Sequence, residues 1–284
     1  MLGHFPELFD QGGRIVRVAG GFQFTEGPVW LQDSGRLLFS DIPGNTIYQF
    51  TPERKAQVFR RPSSHANGLA CDHKGRLIAC EHATRRLTRI EEDGSLTVLA
   101  DSFEGKRLNS PNDVAQASDG SIYFTDPPYG IREHEQDLPF QGVFRLSPEG
   151  NLQLVAPDFH RPNGLVFSPD GSRLYIDDSS RRCHVRYFDV RQDGTLANDR
   201  IFYDMSGHGT GNPDGMTVDR KGRLYCTGPG GVWVLDPDGV HLGTIVTPEQ
   251  PSNCVFGGQD LRTLFITAVS SVYAVQCTTP GRQS

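Results

Sequence analysis

Residues 112–126 read NDVAQASDGSIYFTD, and the fold turns on how often this pattern returns. An apolar-rich stretch from Val114 is followed by the turn Ser118-Asp119-Gly120 and then by the strand-like run Ser121-Ile122-Tyr123-Phe124. Asp-Gly between two apolar strands is a hairpin signal, because glycine takes the positive φ that tight turns require. Working outward, the same unit recurs in Gly27–Asp41, Asn67–Glu81, Asn163–Asp177, Asp214–Gly228 and Asn253–Thr267. The turns are Asp33-Ser34-Gly35, Asp72-His73-Lys74-Gly75, Pro169-Asp170-Gly171 and Asp219-Arg220-Lys221-Gly222, with Gly257-Gly258 in the last copy.

Glu26, Asn67, Asn112, Asn163, Asp214 and Asn253 occupy equivalent places in the six copies, at spacings of 41, 45, 51, 51 and 39 residues. A period of about 40–50 residues with four short strands per unit is that of a propeller blade. The outer strands are legible as Arg86–Glu91 with Ser95–Leu99, Val143–Leu146 with Leu152–Val155, and Val232–Leu235 with Leu242–Val246. The sixth copy has a third strand, Ser271–Gln276, and then the chain ends. Arg14–Ala19 is expected to supply the missing fourth strand and so remove an exposed sheet edge. No segment has sustained helical periodicity. The expectation is all-β: one six-bladed β-propeller over 1–284, four antiparallel strands per blade, with an N-terminal extension (1–13) and a C-terminal tail (278–284).

Composition is consistent with this. The chain has 284 residues, 32 Gly and 19 Pro, with an apolar fraction of 36%. No apolar run approaches the roughly 20 residues of a membrane span. Met1–Asp10 has no basic region followed by an apolar stretch, which points to the cytoplasm, with the mature form of an exported protein as the alternative. Net charge is −6, and Lys and Arg form no stripe, so neither nucleic acid nor membrane is an expected partner. Cys71, Cys80, Cys183, Cys226, Cys254 and Cys277 show no Cys-x-x-Cys spacing and read as reduced thiols within strands.

In a propeller the innermost strands line the channel, so the six equivalent positions converge at one face. Four carry oxygen-bearing side chains in a shared context: Glu26-Gly27-Pro28, Pro111-Asn112-Asp113, Pro162-Asn163-Gly164 and Pro213-Asp214-Gly215. The glycines leave room beside a crowded axis and the prolines stiffen the approach. Two carboxylates and two amides suit a hard divalent cation, and Glu26 with Asp214 balances its charge. Asn67 and Asn253 are equally well explained as turn formers. Glu26 is not, since glutamate is no turn residue. His82, at the end of a second strand, could meet substrate or move a proton. Tyr129 and Asp126 could line the pocket, although Asp126–Gly130 would also make a rigid turn. His208 lies in the glycine-rich run 207–211. Ser179, Ser180 and His184 form no nucleophile signature, for no Gly-x-Ser-x-Gly elbow occurs. The surplus length of the two 51-residue intervals falls near Arg132–Gln141 and Arg191–Gly211 and is expected to form rim loops.

These residues resemble the family of senescence marker protein (regucalcin) and gluconolactonases. The motifs that carry the resemblance are Glu26-Gly27-Pro28-Val29-Trp30, Asn109-Ser110-Pro111-Asn112-Asp113-Val114, Phe124-Thr125-Asp126-Pro127-Pro128-Tyr129-Gly130, Pro162-Asn163-Gly164 and Pro213-Asp214-Gly215-Met216. They span the chain, and the Asp-Pro-Pro-Tyr-Gly stretch is similar to the bacterial gluconolactonase branch. The resemblance implies that Glu26, Asn163 and Asp214 are metal ligands and that Asn112 lies at the metal, as ligand or substrate contact. Ser110 stands where the regucalcin branch has an arginine, leaving Arg107 as a nearby substitute. The implied activity is metal-dependent hydrolysis of a gluconolactone-type sugar lactone by a monomer or homodimer. One divalent cation is expected, Ca²⁺ first, then Mg²⁺, Mn²⁺, Zn²⁺ or Fe²⁺. Asp214 would be the proton acceptor, and Asn112, Tyr129, His82 and Arg107 the substrate contacts. The alternatives are another ester or a phosphotriester at the same site, or a propeller serving only as an interaction platform.

Overall fold

The computed structural model describes residues 7–10 and 13–282. Strand β1 (Val16–Gly20) is followed by six groups of strands in chain order. The first blade holds β2 (Thr25–Leu31), β3 (Arg36–Asp41), β4 (Thr46–Thr51) and β5 (Arg54–Arg60). The second holds β6 (Ala66–Cys71), β7 (Leu77–Glu81), β8 (Arg86–Ile90) and β9 (Leu96–Ala100), and a small hairpin follows, β10 (Ser102–Phe103) with β11 (Lys106–Arg107). The third comprises β12 (Val114–Gln116), β13 (Ile122–Asp126), β14 (Gln141–Leu146) and β15 (Leu152–Phe159). The fourth is β16 (Pro162–Phe167), β17 (Arg173–Asp178), β18 (His184–Val190) and β19 (Leu196–Asp204). The fifth is β20 (Met216–Val218), β21 (Leu224–Gly228), β22 (Gly231–Leu235) and β23 (His241–Ile245). The sixth is β24 (Pro251–Gly257), β25 (Thr263–Ala268) and β26 (Ser271–Gln276).

Each blade is an antiparallel meander, and the sixth is ordered β1-β26-β25-β24. The N-terminal strand therefore closes the ring as expected, with Arg17 opposite Tyr273 and Gly20 opposite Ser271. The strand second from the axis is buried along its whole length in β7, β13 and β21, because it packs between two neighbouring sheets. Outermost β5 is mostly exposed and needs only its backbone ladder.

Six hydrophobic clusters lie between successive blades. One joins Tyr225 and Val232 to Phe256 and Ile266; another joins Trp30 and Phe39 to Phe265 and Val272 across the closure. The remaining four lie between the other neighbouring blades. The six cysteines are all unpaired, five of them buried. The end segments lie partly outside the described residues, and their described parts are packed. Leu8 and Phe9 are buried in the fifth–sixth blade cluster. Gly281 bridges Asp219, and the Arg282 guanidinium donates to the Phe167 carbonyl across the back of the channel.

Two expectations need amending. Arg191–Gly211 is not a rim loop throughout, since 196–204 form the long outer strand β19, bulged twice against β18. The hairpin β10–β11 takes up length between the second and third blades that the repeat left unassigned. The other surplus stretch is a loop, with one 3₁₀ turn at Glu133–Glu135, and residues 132–135 are exposed as expected of a rim loop.

Candidate functional site

The six equivalent residues stand at one end of the inner strands, and the glycine after four of them (Gly27, Gly68, Gly164 and Gly215) explains how the strands come so close. A Cβ on Gly27 would sit 2.0 Å from the Asn67 carbonyl oxygen, and one on Gly164 would sit 2.1 Å from that of Asp214. Gly215 meets Asn253 Cγ at 1.8 Å in the same test. At these joints only glycine lets one strand start against the next. Hydroxyls from the second strands clamp the arrangement. Ser40 Oγ donates to the Asn67 carbonyl and Thr125 Oγ1 to the Asn163 carbonyl, each at 2.7 Å.

The side chains meet around the axis, and most of them are joined by hydrogen bonds. Asn67 Nδ2 donates to Asn112 Oδ1 at 2.7 Å, and Asn112 Nδ2 donates in turn to Asn163 Oδ1. Asp214 stands beside Glu26, and burial, then the Glu26 charge, raises its carboxyl. Asn253 Nδ2 donates to Glu26 Oε2 at 3.2 Å. All four residues singled out from the sequence, Glu26, Asn112, Asn163 and Asp214, are thus brought together. Asn67 and Asn253, legible only as turn formers, belong to the same ring.

Burial pushes the Glu26 carboxyl up to about 7 against its hydrogen bonds from Gly27 and Asn253. Asp214 is raised well above the usual carboxylate range, first by burial and then by the charges of Glu26, Asp177 and Asp113. Two carboxylates this close cannot both ionise without a counter-charge. Among the described residues no three His, Cys, Asp or Glu side chains cluster as a metal site. The ring instead offers two carboxylates and two amide oxygens, a donor set that is oxygen throughout. That set fits a hard divalent cation, whose charge offsets the burial that raises both carboxyls and the repulsion that adds to it at Asp214. Glu26, Asp214, Asn163 and Asn112 are the residues able to hold one.

Beyond the ring the channel widens into a cavity of about 480 Å³, bordered on the ring side by Asp113 and Asn253 and further along by Val29, Leu165 and Met216. Asp113 follows Asn112 where glycine follows Glu26, Asn67, Asn163 and Asp214, and burial, then the Glu26 charge, raises its carboxyl to about 8.

On the ring's outer side His82 is buried, with its backbone nitrogen bonded to the His65 carbonyl. Burial lowers its imidazole to about 4, so it is neutral, with Nε2 facing Asn67 Nδ2 at 3.4 Å. Tyr129 hangs from the 127–140 loop, and the Gly130 nitrogen anchors that loop to Ser110 Oγ at 2.7 Å. The Arg161 guanidinium stands 5.6 Å from the Tyr129 ring centroid. Burial, then the Asp214 charge, raises the phenol.

Three sequence candidates lie elsewhere. Asp126 does not line the pocket. It is fully buried and accepts from the Asn109 and Ser110 nitrogens, each at 2.7 Å, and so holds the strand approach to Asn112. Asp178 grips the His160 and Arg161 nitrogens in the same way. Arg107 stands apart on the exposed β10–β11 hairpin, where its guanidinium donates to the Thr84 carbonyl. His208 packs edge-on against Trp233 with centroids 5.1 Å apart. The residues that sequence reasoning passed over are Asn67, Asn253, Asp113, Asp177 and Ser179. For the two asparagines the signal was their equivalence with Glu26; for Ser179 there was none beyond its place after Asp177-Asp178.

A family model of the SMP-30/Gluconolactonase/LRE-like region matches residues 24–270. The gluconolactonase of Zymomonas mobilis is 36% identical, over 96% of this chain and 84% of that protein. A pentonolactonase of Haloferax volcanii is 30% identical, over 85% of this chain and 80% of its own length. The structure of a gluconolactonase from Xanthomonas campestris matches with a TM-score of 0.89 at 35% identity, covering 98% of this chain and 93% of that one.

Proposed function

The chain belongs to the SMP-30/gluconolactonase/LRE-like family, and from that membership we propose that it is a lactone hydrolase that opens a gluconolactone-type sugar lactone at the ring of Glu26, Asn112, Asn163 and Asp214, with one divalent cation held there. The observation that carries the reading is the pair of buried carboxyls of Glu26 and Asp214 facing amides on the propeller axis, both raised by burial and Asp214 further by the Glu26 charge.

A divalent cation supplies Lewis-acid polarisation of the lactone carbonyl and charge stabilisation as the oxyanion develops. The chain's own residues do the rest. Asp214 accepts a proton from the water whose oxygen bonds to the carbonyl carbon. The ring C–O bond then breaks, and that proton passes to the departing ring oxygen, which becomes the hydroxyl of the aldonic acid. The amide of Asn112 and the hydroxyl of Tyr129 orient the sugar by hydrogen bonds, and the Tyr129 ring gives it a wall. Neutral His82 offers an acceptor nitrogen at the edge of the site and carries no charge to compete with a cation.

The test is acid release from a panel of aldonolactones by protein treated with chelator, before and after adding back Ca²⁺, Mg²⁺, Mn²⁺ or Zn²⁺. Chelated protein is expected to be inactive, and the cations to restore turnover to different extents. Full turnover at zero metal content rejects the cation-dependent mechanism. Turnover of aryl esters or phosphotriesters with none on lactones rejects the substrate class.

A further inference from the structure

Ser179 follows Asp178 at the end of β17 and is buried beside the ring. Its Oγ lies 2.5 Å from the Pro213 carbonyl oxygen, 2.9 Å from Asn163 Nδ2 and 3.2 Å from Asp177 Oδ1. A serine hydroxyl has one proton to give and two lone pairs to accept with. The Pro213 carbonyl and Asp177 Oδ1 are both acceptors for that proton, and Pro213 is the nearer, so the proton points there and not to Asn163. Ser179 therefore faces Asn163 as an acceptor, and Asn163 must present its NH₂ to Ser179. The amide oxygen is thereby turned toward Asn112 and the axis.

An inverted Asn163 would set oxygen against the Ser179 lone pair and aim an NH₂ at the place a cation needs an oxygen. The same hydroxyl ties down the Pro213 carbonyl, the last peptide group before Asp214. We propose that Ser179 is a positioning residue that fixes which end of the Asn163 amide faces the cation, an inference that rests on reading the ring as a cation site. It touches neither cation nor substrate. It acts through Asn163 and, by way of Pro213, through the approach to Asp214.

The orientation argument makes a demand that a merely structural serine would not. Asn163→Asp carries oxygen at both ends, so it needs no orienting partner. Ca²⁺ affinity is measured by titration calorimetry on the full chain, as wild type, Ser179→Ala, Ser179→Thr, Asn163→Asp and the Asn163→Asp/Ser179→Ala double variant. Ser179→Ala is expected to weaken Ca²⁺ binding by about 10-fold or more, the usual scale for losing a group that orients a metal ligand. Ser179→Thr, which keeps the hydroxyl, should stay within about 3-fold of wild type, and in the Asn163→Asp background the alanine should change affinity by less than about 3-fold. If Ser179→Ala does not fold, Ser179→Cys keeps the volume with a weak donor and takes its place. Equal affinity in wild type and Ser179→Ala overturns the inference and leaves the cation site standing. So does an equal loss in both backgrounds, which would mark a general loss of structure. A wild type that binds no Ca²⁺, Mg²⁺ or Mn²⁺ brings down the cation reading and this inference with it.

Discussion

Asp214→Asn keeps an oxygen that can face the axis and removes one charge and one proton acceptor. If Asp214 only holds a cation, saturating metal should restore most of the turnover. If it is also the base, turnover should stay depressed by about 10²-fold or more with the site full, the usual scale for a lost general base. We expect the second outcome, with Asn163→Asp as the control that changes charge in the opposite direction. Steady-state kinetics at saturating Ca²⁺ decides it, and a metal-loaded Asp214→Asn near wild-type turnover removes Asp214 from the proton step. How much of the site could be read in advance follows from the chemistry of single residues. Glu26 was legible because glutamate has no business in a turn, and Asp214 because it matched Glu26 in the repeat. Asn67 and Asn253 were ambiguous, since asparagine makes turns for reasons of its own. Ser179 was illegible. What gives it a role is the direction of one hydroxyl proton, set by a carbonyl 34 residues further along the chain.

At the scale of strands, the glycine after four of the ring residues, Gly27, Gly68, Gly164 and Gly215, determines how close two blades can stand there. Gly164 has no left-handed backbone to protect, yet a Cβ there would lie 2.1 Å from the Asp214 carbonyl oxygen and 2.8 Å from Gly215 Cα. Backbone atoms cannot move aside cheaply, so Gly164→Ala should push the start of β20 outward and displace Asp214 with it. Gly171, in the hairpin turn between β16 and β17, is the contrast: its φ is +73° and a Cβ would meet nothing within 4 Å. Gly171→Ala should cost about 1–2 kcal/mol of backbone strain and leave Ca²⁺ affinity unchanged. Gly164→Ala should cost about 3 kcal/mol or more and weaken Ca²⁺ binding as well. Urea unfolding paired with Ca²⁺ titration separates the two, and a Gly164→Ala that binds Ca²⁺ like wild type would show that the ring tolerates wider blades. The hairpins were plain in the sequence because Asp-Gly turns between apolar runs leave little choice. Strand β19 was not, because Leu-Ala-Asn-Asp-Arg-Ile-Phe-Tyr-Asp has no clean alternation. An outermost strand is held by its ladder to β18, with little of its surface buried, so nothing selects a two-residue period there.

The whole molecule depends on a ring being closed, and the closure was legible because the last repeat ran out of chain one strand short. β1 completes the sixth blade along β26, while Val18 and Ala19 pack on the cluster between the first and last blades. Just before it in the chain, Leu8 and Phe9 are buried against the fifth and sixth blades. Two truncations distinguish these contributions. A chain starting at Gly13 loses Leu8 and Phe9, a burial term of about 2–3 kcal/mol per side chain. A chain starting at Gly21 loses β1 as well, which strips the ladder from β26 and leaves its backbone groups as an open edge. Because each blade is packed between two others, damage at the seam cannot stay local. Both truncations should therefore unfold in one cooperative transition, the shorter chain at the lower temperature. Only the chain starting at Gly21 should self-associate, which light scattering below its melting temperature would register. If the two truncations melt together and both stay monodisperse, the N-terminal strand contributes nothing to closure, and the ring is held shut by the blade-to-blade clusters alone.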